Sequence, residues 1–171
     1  MIRNFIRLII AGLIIAGGVY LITLGFVAYG VWSIILSGIF ILFHFKNERN
    51  LLAFLYVRRN KFDKAAKILD KVKHPERMIR TQEAYYYYLS GLVTAQLRSI
   101  NKAENLFKKA LDKGLRTKTD RAVARLNLAG FSLQKRNKKL AKYHLEEAKK
   151  LDKHKMLKSQ IKEIEHMMKR V

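Results

Sequence analysis

The chain has no cysteine, a single proline at Pro75, and no Asp, Glu, Lys or Arg anywhere from Leu8 to Phe45. Without cysteine there are no disulfides, no thiol nucleophile and no thiolate metal site. Glycine is sparse, and six of the nine lie at or before Gly38, so no glycine-rich phosphate loop occurs in the charged part of the chain. The five histidines, His44, His74, His144, His154 and His166, make no HExxH arrangement, and no two share one helical turn. His144 and Glu147 stand three apart, but a carboxylate-bridged metal site takes several convergent carboxylates, so the pair reads as a solvated ion pair. These absences point away from an enzyme: no catalytic residue, metal ligand or cofactor is assigned.

What is present begins with the charge-free stretch. As one helix it would run roughly 57 Å at about 1.5 Å per residue, nearly twice a hydrocarbon core of about 30 Å. The economical solution is a hairpin of two transmembrane helices within residues 1–45, about 6–24 and 26–45, turning near Gly25 and Gly30. A secretory signal peptide is the competing reading, but the apolar run continues some twenty residues past where an h-region stops, and no small-x-small cleavage site leads into polar sequence. Basic residues flank both ends, Arg3 and Arg7 before and Lys46, Arg49, Arg58 and Arg59 after. The positive-inside rule then puts both termini and the rest of the chain on the cytoplasmic side of a plasma or inner membrane. Small pairs four apart, Gly12 with Ala16 and Ser33 with Ser37, would let the two backbones of the hairpin approach closely, or two chains associate.

Residues 46–171 hold all but two of the 35 Lys and Arg against all 13 Asp and Glu, a formal +20 of the +22 total. Such an excess suits anionic lipid head groups, RNA or acidic proteins, or else simply keeps a surface soluble. From Ile39 to Arg59 there is neither Gly nor Pro, so the second apolar helix either runs straight into the charged region or breaks near 46–50.

The charged region repeats itself every 38 residues. Ala65, Ala103 and Ala141 recur at that spacing, each twelve residues after a small residue, Ala53, Gly91 or Ala129. Four residues past each alanine comes Leu69, Phe107 or Leu145, and three further on Val72, Ala110 or Ala148. Small residues that permit close approach and large ones that fill the space between describe stacked two-helix units. The expected pairs are 47–59 with 62–73, 82–98 with 101–113, and 119–136 with 138–151, followed by a solvating cap over 155–169. Asn60, Asn101 and Asn137 are expected to cap the second helix of each pair, Asn101 with Glu104 in capping-box spacing, while Pro75 and Gly114 close the first two pairs.

These residues resemble the tetratricopeptide repeat family. Leu52, Ala53 and Tyr56 match its first-helix pattern. Ala65 with Leu69, Ala103 with Phe107 and Ala141 with Leu145 match its second. The second unit has Ser90 and Thr94, and the third Ser132, where the family usually carries Leu or Tyr. The period exceeds the usual 34 by four residues. The resemblance covers about residues 47–153 and implies an all-α solenoid of three helix pairs plus a C-terminal capping helix in residues 46–171, preceded by the two transmembrane helices. It also implies a concave groove lined by first helices, with Asn50, Phe54, Arg58, Tyr85, Tyr88, Leu92, Gln96, Asn127 and Gln134 as candidate partner contacts. The family's lysine and asparagine carboxylate clamp is not reproduced, so the groove suits an extended or helical segment with apolar side chains. Lysines stripe the second helices and connections: Lys64, Lys67 and Lys71, then Lys102, Lys109 and Lys113, then Lys139, Lys142, Lys149 and Lys150. These are candidate contacts to an anionic surface. The expected function is a membrane-anchored adaptor that recruits a protein partner. The alternatives are a basic RNA- or ribosome-binding module and an assembly factor for a membrane complex.

Overall fold

The structure, a computed structural model, describes residues 2–45, 48–97 and 99–170, with side chains described at 9–38, 49–97 and 99–170. The chain divides into two compact units, Met1–Glu48 and Arg49–Val171.

The first unit is a helical hairpin of α1 (Ile2–Thr23) and α2 (Val27–Phe45) packed along their lengths. Gly25 makes the reversal with φ +86°. Its N–H donates to the Ile22 carbonyl and that of Phe26 to Leu21, both at 3.0 Å, the pairing that closes a helix on a left-handed residue. Gly30 is not part of the turn. It lies inside α2, where a Cβ would stand 2.6 Å from the Gly18 carbonyl oxygen, so the two backbones touch there. Ala11, Gly18, Gly30 and Ser37 are buried along the seam, and Ser37 Oγ donates across it to the Ala11 carbonyl at 3.1 Å. Of the expected small pairs, Ser37 packs the hairpin, but Gly12 and Ala16 both face outward. Ser33 turns its hydroxyl to the Tyr29 carbonyl of its own helix.

Among the described residues no helix is long and apolar enough to cross a membrane. The expectation of two transmembrane helices at about 6–24 and 26–45 is therefore not supported by the described residues, although a helical hairpin does form there. The flanking Arg3, Arg7 and Lys46 and the junction at 46–47, on which the expected continuity of α2 into the next helix turns, lie outside the described side chains.

The second unit is all-helical, with helix pairs packed in sequence order. They are α3 (Glu48–Arg58) and α4 (Phe62–Leu69), which share an apolar cluster through Ala53, Ala65 and Leu69, then α5 (Arg80–Gln96) and α6 (Ile100–Lys113), and α7 (Lys118–Gln134) and α8 (Lys138–Leu151), closed by α9 (Lys158–Arg170). The repeat positions make the core. Ala53, Ala65, Ala103, Ala129, Ala141, Ala110, Ala148 and Phe107 are fully buried, and Gly91, Leu69, Leu145 and Val72 are buried beside them. One apolar cluster runs from Ala53 to Phe131, and a second joins α7 and α8 to Leu157 and to Ile161 and Ile164 of α9. The last helix therefore covers the final pair, as a terminal cap must.

The turn within each pair repeats too. Asn60 and Arg136 take left-handed φ of 56° and 57°. The following N–H groups, Lys61 to Tyr56 and Asn137 to Ser132, close the same six-residue loop, as does Ser99 to Thr94. The first residue before each second helix is thus Lys61, Ser99 or Asn137, again 38 apart. Only Asn137 caps with its side chain, Oδ1 accepting from the Leu140 N–H at 3.0 Å. Asn60 instead ends α3, a conformation asparagine tolerates, and Asn101 lies exposed within α6. Glu104 does not complete a capping box; it bonds Lys108 and Lys135.

Two boundaries differ from expectation for identifiable reasons. α4 stops at Leu69, four residues early, because the link to α5 is taken by a 3₁₀ turn at Pro75–Arg77 whose proline forces His74 out of helical geometry. α9 starts at Lys158 because Lys155 is left-handed and the Asp152 carboxylate accepts from the N–H groups of Met156 and Leu157.

Candidate functional site

An aromatic ladder that the repeat spacing alone did not order runs from the first helices α3, α5 and α7 through Phe107 of the second helix α6. Ring centroids run Phe54 to Tyr85 at 6.1 Å, Tyr85 to Tyr88 at 5.8 Å, Tyr88 to Phe107 at 6.2 Å and Phe107 to Phe131 at 6.1 Å. The ladder descends from half-buried Phe54 and Tyr85 to fully buried Phe107, so one end belongs to the surface and the other to the core. Burial, with the Asp120 charge adding to it, pushes the Tyr85 hydroxyl up to about 12 and Tyr88 higher still. Both remain protonated at neutral pH.

The candidate groove residues separate into two groups. Asn50 is buried, its Nδ2 donating to the Gln82 carbonyl at 3.0 Å, and Tyr88 is buried in the ladder. Asn127 is half-buried and spends its amide N–H on the Val123 carbonyl of its own helix at 2.9 Å. These three hold the scaffold together. Phe54, Tyr85 and Leu92 are half-buried, while Arg58, Gln96 and Gln134 are exposed, and these six keep surface to offer a partner.

The lysine stripes separate in the same way. Lys113 pairs at 2.9 Å with Glu83, a carboxylate only 5% exposed, and that bond holds the Lys113 ammonium above its usual range. Lys149 pairs with Glu165, fastening α8 to α9, and Lys150 pairs with Glu147. Lys109 lies over the Tyr87 ring, 5.6 Å from its centroid. Lys64, Lys67, Lys71, Lys102, Lys139 and Lys142 are exposed with no ion pair among the described residues.

His144 corrects an expectation. It is buried and makes no pair with Glu147; its Nδ1 faces Arg125 Nη1 at 3.2 Å, and Arg125 also lies over the Tyr143 ring. An arginine can only donate, so the imidazole accepts and is neutral. Burial, then the charges of Arg125 and Lys108, bring its pKa down to about 4. The arginine comes from the preceding helix, nineteen residues away, and nothing in local spacing announces it. Among the described residues no group of His, Asp or Glu is placed to hold a metal ion.

The class this architecture defines is an all-helical protein of sequentially packed helix pairs. No family model matches the chain, and neither does any curated protein or solved structure.

Proposed function

We propose that the chain is a non-enzymatic adaptor: a tetratricopeptide-like repeat unit that recruits a protein partner, anchored in a lipid membrane by its apolar hairpin with the repeats on the cytoplasmic side. The observation that carries the reading is the pairing of a repeat scaffold, whose small residues are consumed in stacking, with a half-buried apolar surface at Phe54, Tyr85 and Leu92 beside the exposed amides Gln96 and Gln134. Such a surface suits a segment with apolar side chains, docked on the rings and hydrogen-bonded through its backbone to the amides.

The hairpin supports the anchoring half of the reading by being built inside out. Its seam buries Ala11, Gly18, Gly30 and Ser37, while Leu13, Tyr20, Trp32, Ile35 and Leu36 are half or more exposed. In water that arrangement would expose large apolar side chains to shelter small ones. In hydrocarbon it is what close helix packing requires, since lipid already solvates leucine and isoleucine.

The test is a pull-down from membranes with the wild type against Phe54→Ala and Tyr85→Ala. Loss of a shared partner supports the groove, and an unchanged partner list sinks it. A cytoplasm-dependent reporter fused after Val171 tests the orientation, and a silent reporter reverses it.

A second reading, a membrane-located binder of RNA or ribosomes, is favoured by the exposed lysines Lys64, Lys67, Lys71, Lys102, Lys139 and Lys142, which make no ion pair among the described residues. Phosphate neutralisation predicts a steep linear fall of log affinity with log salt, so a partner retained at high salt excludes it.

A further inference from the structure

We propose that the exposed leucine face of α3 rests on the surface of an anionic lipid bilayer. The inference builds on the membrane reading of the hairpin above and adds a second, peripheral contact made by the repeat unit itself.

α3 is apolar on two opposite faces, and only one is covered. Asn50, Ala53, Phe54 and Val57 project within one arc of the helix, where Asn50 and Ala53 are buried and Phe54 and Val57 partly so. At about 100° per residue, Leu51, Leu55 and Leu52 fall on the other side. They are 42%, 43% and 47% exposed, although leucine is among the residues most often fully buried. Elsewhere in this unit the exposed large apolar residues Ile79, Leu97, Tyr143, Met156 and Met167 are scattered over different elements, which is ordinary for a soluble surface; three leucines on one arc are not.

Charge and covalent connection select the occupant. Arg58, Arg59 and Lys61 follow the leucines immediately, all exposed and without an ion pair among the described residues. Leucines beside a basic cluster match an interfacial contact, with apolar side chains entering the acyl boundary and cations meeting anionic head groups. The chain also limits how far α3 can be from lipid. α2 ends at Phe45 and the first leucine of the face is Leu51, so the chain between them is six residues long and reaches at most about 20 Å at full extension.

Because the chain has no cysteine, single spin labels can be placed cleanly on the full-length protein in nanodiscs of phosphatidylcholine with or without phosphatidylglycerol. The sites are Leu52→Cys, Leu13→Cys as the hairpin reference and Lys139→Cys as the aqueous reference. In anionic discs the label at Leu52→Cys is expected to lose collisions with a water-soluble nickel chelate and gain collisions with oxygen, and Arg58→Glu with Arg59→Glu should reverse both changes. A label at Leu52→Cys as accessible to nickel as the one at Lys139→Cys, with Leu13→Cys protected, overturns the surface contact while leaving the anchored hairpin standing. Nickel access at Leu13→Cys removes the hairpin reading and this inference with it. Spin–spin broadening at Leu52→Cys that vanishes on dilution with unlabelled chain assigns the face to a second copy and overturns the lipid contact. Protection that is equal in neutral discs and unaffected by the arginine changes overturns the requirement for anionic lipid.

Discussion

The ring of Phe107 lies against the backbone of Gly91: a Cβ on that glycine would stand 3.1 Å from Phe107 Cε1. The ring has nowhere to retreat, being fully buried between Tyr88 and Phe131. Gly91→Ala should gain up to about 1 kcal/mol of helix propensity and lose about 1–3 kcal/mol to overpacking, a net destabilisation of roughly 1 kcal/mol. Gly91→Leu should lose considerably more. Denaturant midpoints of the full chain in detergent measure both, and a stabilised Gly91→Ala would contradict the contact.

The hairpin offers a matched pair of glycines. At Gly30 an added methyl meets the Gly18 carbonyl oxygen at 2.6 Å, whereas at Gly12 it meets nothing within 4 Å. Gly30→Leu should separate the helices, and Gly12→Leu should leave them packed. Cysteines introduced at Ala11 and Ser37, joined by Ser37 Oγ on the Ala11 carbonyl, report this as the yield of a short bismaleimide crosslink, lost only in the Gly30→Leu background.

His144 links stability to acidity. Its folded pKa of about 4 lies below the 6.5 of an unperturbed imidazole, so between these values the unfolded chain binds more protons than the folded one. The sign follows: the His144 contribution is complete above about pH 6.5 and falls as pH drops toward 4, by up to about 1.4 kcal/mol per pH unit. Glu104 and Glu147 nearby oppose the effect, while Arg125 and Lys108 reinforce it. Comparing unfolding midpoints at pH 7 and pH 5 should show a larger loss for the wild type than for His144→Gln, whose side chain carries no titrating group. Equal losses would mean the imidazole is solvated.

The three asparagines expected to cap should behave differently. Asn137→Ala is expected to cost about 1 kcal/mol through loss of the bond to the Leu140 N–H. Asn101→Ala removes only an exposed side chain within α6 and should be neutral or slightly stabilising, since alanine is the better helix former. Asn60→Gly should be tolerated because the position is left-handed. Thermal midpoints rank the three.

Much of the scaffold was legible in the sequence because stacking leaves a periodic residue. Ala65, Ala103 and Ala141 had to be small for helices to approach, Leu69, Phe107 and Leu145 had to fill the gaps, and all six are buried. The candidate groove was less legible. First-helix membership does not distinguish Tyr85, half at the surface, from Tyr88, which belongs to the core, because that depends on how far each ring is overlapped by the next pair. The lysine stripes were visible as sequence, but their pairing was not: Lys113 finds Glu83 thirty residues away and Lys149 finds Glu165 across a turn.

The sequence by itself determined the helix pairs, their 38-residue period, the apolar hairpin and the concentration of positive charge, since each is written in spacing or composition along one dimension. Only the tertiary structure decided that Gly30 is a contact and Gly12 a surface, that His144 answers to Arg125, and that α3 keeps three leucines uncovered. Each of those depends on which faces of separate helices meet, and a distance across space has no counterpart in the order of residues along a chain.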